Sequence, residues 1–365
     1  MILRISTLLI ILMNVTILNA QNRQIPLYVG TYTSEGGSKG IYEFKFDIEN
    51  GTTSLVGETT TPSPSFIARN AHVLLAVNEL TDGNQSLSSF AITKDGLQFL
   101  NKIGTDGAAP CHVVMGAGGD FAVVSNYLGG ALNLFSLSPN GEILAKDDVK
   151  IYTGSSIDKS RQESSHIHSA FFGPDSLLYV SDLGADKIYI LDVVKVNGKF
   201  QFEEKGQIDV KKGGGPRHIA FHPNGDYLYS LMEMTGEIEV FERNSESWKP
   251  LQTISMREAG FNGQSGAADL KLSSDGKFLY SSDRIDANTV TVFSVSKKGI
   301  LKQVQVSSVL GKGPRHFSFS PDERFVLLAN QLTNEIVVFK RDRKTGKLTD
   351  SGKRINVSQP VCVLF

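Results

Sequence analysis

The chain has 365 residues, of which 40% are hydrophobic and 21% charged, a composition ordinary for a soluble globular protein. Its 37 Lys and Arg against 38 Asp and Glu leave a formal net charge of -1, with no long block of like charge. That argues against nucleic acid or an anionic membrane surface as the main partner, since both require a concentrated basic face.

The first stretch, MILRISTLLIILMNVTILNA, carries one early positive charge at Arg4, an apolar run from Ile5 to Leu18, and Ala20 before the polar Gln21. This is the layout of a cleaved secretory signal over residues 1–20, with cleavage near Ala20 and an exported, periplasmic or extracellular product. A membrane anchor is the alternative, but the run is short for a span and is interrupted by Asn14 and Thr16. Two cysteines follow, Cys111 and Cys362, too few for a disulfide scaffold and without metal-ligand spacing, so free buried thiols are expected.

From Phe66 onward one unit recurs. A short apolar run (HIAF, HFSF, DLKL) meets a turn such as HPNGD or SPDER. An alternating run follows (YLYSLM, FVLLAN, FLYSSD), then a second turn, a third run (EIEVF, EIVVF, TVTVF) and a more variable fourth. His112 to Phe135, His168 to Leu191, His218 to Phe241 and His316 to Phe339 each span 23 residues, and Phe66 to Phe90 and Asp269 to Phe293 span 24. Period-two runs of this length bounded by Gly, Pro, Asn and Asp are strands with turns. Four strands per step of 46 to 56 residues predict β-propeller blades. Six units start near Phe66, His112, His168, His218, Asp269 and His316. At the ends, QPVCVLF reads as a lone first strand and LYVGTYTSEGGSKGIYEFKFD as second and third strands. The expected fold is therefore all-β, a seven-bladed β-propeller of four-stranded blades occupying residues 21–365 as one domain, its ring closed by pairing of the terminal strands.

Aligned units expose two columns. The first reads Phe66, Cys111-His112, His168, Arg217-His218, Asp269, Arg315-His316 and Cys362, and holds four of the seven histidines of the protein. Two Arg, four His and an Asp around one channel mouth would make an anion-binding site with groups that titrate near neutrality. The competing expectation is that these histidines bond to backbone between blades. The second column reads Gly30-Thr31-Tyr32, Asn78-Glu79, Asn126-Tyr127, Asp182-Leu183, Met232-Glu233-Met234, Asp283-Arg284 and Asn330-Gln331. Asn and Asp cap tight turns there, which suffices for Asp182 and Asn330. Glu233 and Arg284 are not favoured turn formers.

The run GPRHIAFHPNGDYLY with GEIEVF, the opening YVGTYTSEGGSKGIYEFKFD and the turn SSDR before TVTVFSV resemble the lactonase family of seven-bladed propellers over about residues 25–365. That family includes the bacterial propeller-type 6-phosphogluconolactonases and, more distantly, the carboxymuconate-lactonising enzymes. The resemblance implies hydrolysis of a sugar-acid lactone to the open-chain acid, without metal or cofactor. Its reacting residues fall on His168, Arg217, Glu233 and Arg284, with His112, His218, Asp269, Arg315 and His316 as candidate substrate-binding residues. Either His168 or Glu233 could activate water, Arg217 with His218 could hold the carbonyl oxygen, and Arg284 with Arg315 could grip an anionic or hydroxyl-rich substrate. In the turn LMEM, Met232 stands where a hydrogen-bonding side chain is the rule. The export signal also puts a phosphorylated substrate in doubt, because phosphogluconolactone is a cytoplasmic intermediate. An exported propeller that binds a sugar acid or a protein without turnover, and a lactone cycloisomerase, are the alternatives. A monomer or weak dimer is expected, with a small-molecule lactone as partner.

Overall fold

The computed structural model describes residues 23–245 and 247–365, so the leader expected over residues 1–20 lies outside the described residues. Seven four-stranded antiparallel sheets make seven blades. Blade 1 runs from the innermost strand Pro360–Leu364 outward through Gln24–Thr31 and Gly40–Asp47 to Thr53–Thr60. The terminal segments thus interlock one strand against three, one more from the N-terminal side than the sequence pattern showed. Blade 2 spans Ile67–Arg69 to Gly96–Gly104, blade 3 Ala108–Met115 to Ile143–Ile151, and blade 4 Ile167–Phe172 to Lys199–Asp209. Blade 5 spans Pro216–Phe221 to Ser247–Ser255, blade 6 Ala267–Leu272 to Leu301–Ser308, and blade 7 Pro314–Phe319 to Leu348–Asn356. Each innermost strand packs against the innermost strands of both neighbours, which closes the ring around a central channel. Among the described residues the only helix is a 3-10 turn at Gln331–Thr333, and no helix is long and apolar enough to cross a membrane.

The alternating sequence pattern explains the packing. Blade faces meet face to face, so the second strands bury side chains on both sides while the outermost strands are largely exposed, and an apolar cluster fills each of the seven gaps between blades. Repeat positions recur within them: Tyr179, Tyr229 and Tyr280 occupy the same place on the second strands of blades 4, 5 and 6, all fully buried. Tyr229 and Tyr280 donate their hydroxyls to Gly299 O and Gly346 O in the next blade, so no buried O–H is left unpaired there. Burying each such ring stabilises the fold by roughly 2 kcal/mol, and the repetition leaves the stability to the scaffold rather than to the channel.

The innermost strands carry the device that makes a site possible. In six blades the ladder between the first and second strands shifts register near the first-column residue: at Pro110/His112, Ile167/Ser169, Pro216/Ile219, Ala267/Leu270, Pro314/His316, and opposite Val361 in blade 1. Bulges of this kind release a residue from the ladder and re-aim its side chain. Register also places the two columns together, because Pro216 pairs with Met232, Ala267 with Asp283 and Pro314 with Asn330. The start of the first strand and the end of the second therefore open on the same mouth.

Candidate active site

At that mouth, each member of a second-column pair has its own task. The first residue caps the loop before the innermost strand: Asn78 and Asn126 donate to Pro62 O (2.6 Å) and Gly107 O (2.8 Å), while Asp182 and Asp283 accept from His166 N and Gly266 N (both 2.9 Å). The second residue fixes its backbone on the same loop, as Glu233 N does on Gly215 O (2.8 Å), Arg284 N on Gly266 O (3.1 Å) and Gln331 N on Gly313 O (3.0 Å). Its side chain is then free to face the channel. Tyr32, Glu79, Tyr127, Glu233, Arg284 and Gln331 accordingly line one cavity of about 520 Å³. Leu183 of blade 4 lies instead in the packed interior.

Glu233 is the hub. Its Oε2 accepts from Arg217 Nε at 3.0 Å and forms an ion pair with Arg284 Nη2 at 3.0 Å, and its Oε1 accepts from Arg161 Nη2 at 2.7 Å. Burial alone would raise its pKa, but Arg284, Arg217 and Arg161 outweigh that and hold the carboxyl down at about 2. It is ionised and enclosed by three cations. His168 stands beside it, Nε2 3.9 Å from Oε2, on the cavity wall. Burial first, then Arg217, His218, Arg315 and Arg284, keeps its imidazole well below the ordinary range, hence neutral at physiological pH, and its Nδ1 is buried without a protein partner. Arg315 faces the cavity from blade 7, its guanidinium 5.2 Å from the Tyr32 ring and 3.9 Å from Glu79 Oε1, which also accepts from Tyr32 Oη at 2.9 Å. Four guanidiniums thus surround two carboxylates, which leaves an excess of positive charge suited to an anion or a developing oxyanion. Cys111 also lines the cavity, but burial raises its thiol pKa and Sγ donates to His168 O (3.2 Å). Both cysteines are free.

Of the residues singled out from sequence, His168, Glu233, Arg284 and Arg315 line this cavity. Arg217 sits just behind Glu233 and also donates to Ala268 O. The structure does not bring His112, His218, His316 and Asp269 to the cavity. They lie deeper in the channel and staple blade to blade. His112 Nδ1 accepts from Ala170 N (3.5 Å), His316 Nδ1 from Val363 N (3.1 Å) and Asp269 Oδ2 from Phe317 N (3.0 Å), while His218 Nδ1 donates to Asp269 Oδ1 (2.9 Å). Each of these bonds spans adjacent blades; His112, His316 and Asp269 fasten to backbone, as in the competing expectation for the column, whereas His218 fastens to the Asp269 side chain. The structure adds Arg161, carried on the segment joining blades 3 and 4. That segment has no counterpart in the repeat, so alignment of units gave no signal for it. Tyr32, Glu79, Tyr127 and Gln331 were legible as column members, and only the packing shows them sharing one wall. Among the described residues no group of three or more His, Cys, Asp and Glu is arranged to hold a metal ion.

Residues 26–365 match the model of the family described as Lactonase, 7-bladed beta-propeller. The 6-phosphogluconolactonase of Bacillus subtilis is 34% identical over 347 residues, covering 93% of this chain and 97% of the relative. The 6-phosphogluconolactonase of Formosa agariphila is 32% identical over 335 residues, covering 88% and 94%. Among solved structures, the periplasmic gluconolactonase of Pseudomonas aeruginosa superposes with a TM-score of 0.87 at 31% identity, covering 93% of this chain and 98% of that one. With its closed ring of seven blades and a match that runs from the first described strand to the last, the chain belongs to the seven-bladed β-propeller lactonase family.

Proposed function

We propose that this chain opens a sugar-acid lactone with water in the cavity bounded by His168, Arg161, Glu233, Arg284 and Arg315. The observation that carries the reading is one buried carboxylate gripped by three guanidiniums beside a neutral imidazole. The names of the relatives from Bacillus, Formosa and Pseudomonas support the same reaction class.

Ring opening needs a base for water, stabilisation of the oxyanion and a proton for the departing ring oxygen. Glu233 is a poor base, because three guanidiniums engage its two oxygens, whereas His168 keeps a ring nitrogen without a protein partner. The task of Glu233 is to hold Arg161 and Arg284 at fixed positions. His168, uncharged, accepts the proton from water as the water oxygen bonds to the carbonyl carbon. Arg284 and Arg161 stabilise the negative charge that gathers on the carbonyl oxygen. As the ring C–O bond breaks, the imidazolium returns its proton to the leaving oxygen, which becomes a hydroxyl, and the carboxylic acid ionises against the surplus guanidinium charge. A preorganised donor of this kind typically contributes about 10²- to 10³-fold in rate.

The substrate we propose is an unphosphorylated aldonolactone met outside the cytoplasm, in keeping with the signal-like residues 1–20 and with the periplasmic relative. A panel of aldonolactones with and without phosphate, followed by pH-stat, tests the reaction. Turnover of unphosphorylated members is expected, and no turnover across the panel would favour the binding-only alternative. Export is tested by the intact mass of protein recovered outside the cytoplasm, which should begin at Gln21.

A further inference from the structure

The sequence oddity at Met232 points to a residue outside the cavity. In blade 6 the capping residue Asp283 secures the backbone of its loop, accepting from Gly266 N at 2.9 Å. Blade 5 has an apolar Met232 at that place, fully buried, and its loop Gly213–Pro216 must be held from elsewhere. Asp186 of blade 4 does this. Its Oδ2 accepts from Gly213 N at 2.6 Å and its Oδ1 from Gly215 N at 2.8 Å. The same carboxylate also accepts from Ser156 Oγ (2.5 Å) and Gln162 Nε2 (2.8 Å) on the segment that carries Arg161. Asp186 is buried at 3% exposure, and Gln162 is wholly buried.

One carboxylate therefore ties together two pieces of the site. On one side is the loop whose Gly215 O receives Glu233 N and whose next residues are Pro216 and Arg217. On the other is the turn Asp158–Gln162, closed by Gln162 N to Asp158 O (2.7 Å), in which Arg161 directly precedes the stapled Gln162. A displacement at Gln162 passes to Arg161 through a single residue. The short Arg161–Glu233 bond is a contact between the two halves that Asp186 joins.

Two other blades show what this place needs for folding alone. Asn288 and Asn334 occupy the corresponding turns of blades 6 and 7, left-handed like Asp186, at φ 48°, 57° and 53°. Each also reaches the next loop, Asn288 Oδ1 accepting from Gly313 N (2.7 Å) and Asn334 Oδ1 from Gln359 N (2.9 Å). An amide meets the scaffold's requirement there, whereas four converging donors require a carboxylate.

We propose that Asp186 is a positioning residue of the lactonase site, setting Arg161 against Glu233 across the blade 4–blade 5 boundary. The proposal rests on the reaction taking place in this cavity. Its test is a double-mutant cycle on the full chain with the aldonolactone that turns over best, measuring kcat, KM and thermal midpoint for Asp186→Asn, Arg161→Ala and the pair. Asp186→Asn should keep the parental fold, as the asparagines of blades 6 and 7 do, while lowering kcat/KM on the order of tenfold or more. In the Arg161→Ala background the same change should alter kcat/KM by less than about threefold, because the group it positions is gone. An equal loss in both backgrounds, or a lowered midpoint with unchanged kcat/KM, overturns the proposal. His168→Ala separates the two levels: full activity in that variant defeats the site assignment itself, whereas its inactivation alongside a silent Asp186→Asn defeats only the positioning role.

Discussion

Blades 5 and 7 repeat Gly-Pro-Arg-His, yet the two arginines live differently. Arg217 is 3% exposed and meets its counter-charge, Glu233, in its own blade. Arg315 finds Gln331 there, and its counter-charge comes from Glu79 of blade 2 and the Tyr32 ring of blade 1, across the seam that closes the ring. The histidines diverge too: His218 donates to the Asp269 carboxylate of the next blade, whereas His316 accepts from a backbone N–H of blade 1. The motif thus builds a place, a bulge with a side chain turned to the channel. The second column decides whether that place is saturated and rigid, as in blade 5, or keeps donors for a ligand, as in blade 7.

The comparison breaks first at its hub. Glu233→Gln should lower kcat/KM by about 10²-fold or more and destabilise the fold by roughly 3 kcal/mol, because three guanidiniums lose a shared buried counter-charge. His168→Ala should match the loss of activity, about 10²- to 10³-fold, with a near-parental melting temperature. If Glu233→Gln left both rate and midpoint unchanged in pH-stat and thermal melts, blade 5 would not be the saturated side of the site.

Acidification probes the paired histidines. Burial and neighbouring cations depress His218 to about 4 and His316 to about 3, against an ordinary 6.5. An imidazole shifted this way binds protons more readily in the unfolded chain, so its contribution is complete above about pH 6.5 and declines as pH falls toward those values. Glu233 adds a loss of the same sign at lower pH, between its ordinary 4.5 and about 2. Each imidazole is expected to contribute on the order of 3 kcal/mol by the acid end of its window. Denaturant unfolding at pH 7.5, 5.5 and 4.5 should show stability falling steadily. His218→Gln and His316→Gln should each flatten this slope by a similar amount, and a further point at about pH 3.5 should separate them, since the His316 window extends to about 3 and the His218 window ends at about 4. A flat profile from 7.5 to 4.5 would mean that the channel histidines are not buried neutral.

Exchanging each arginine for lysine sharpens the contrast further. Arg217→Lys loses the fork that serves Glu233 and Ala268 O together, so about 2 kcal/mol of stability should go. Arg315→Lys, whose side chain is 19% exposed and whose nearest carboxylate oxygen is 3.9 Å away, should change stability by less than about 1 kcal/mol and raise KM up to about tenfold. Similar stability losses in both variants would erase the distinction between the blades.

Much of this was legible in the chain because repeats compare themselves. Seven blades, the closure by terminal strands and the two columns followed from spacing alone, since each unit buries the same two-sided strands. The columns also held the wall-forming Glu233, Arg284 and His168. Spacing could not show how far down the channel a column residue sits, and that depth separates Arg315 at the cavity from His316, bonded to Val363 N beneath it. Nor could it find Arg161 or Asp186. Arg161 lies on a segment present once, and Asp186 is an ordinary turn former in one dimension, distinguished only by the four donors that converge on it in three.

The mildest change asks whether blade 7 can be turned into blade 5. Gln331 occupies the position of Glu233, its backbone held in the same way by the Gly-Pro loop, so Gln331→Glu places a carboxylate on the cavity wall without disturbing the turn. Arg315 would then have a nearby counter-charge in its own blade as well as Glu79. A guanidinium drawn into that pair offers less to an anionic ligand, and the surplus positive charge of the cavity falls by one. Competitive inhibition by the aldonate product, which carries a full negative charge, should weaken about three- to tenfold, while KM for the neutral lactone changes less. Equal effects on both would mean that Arg315 does not discriminate by charge, and the blade 7 arginine would then serve the ring closure through Tyr32 and Glu79 alone.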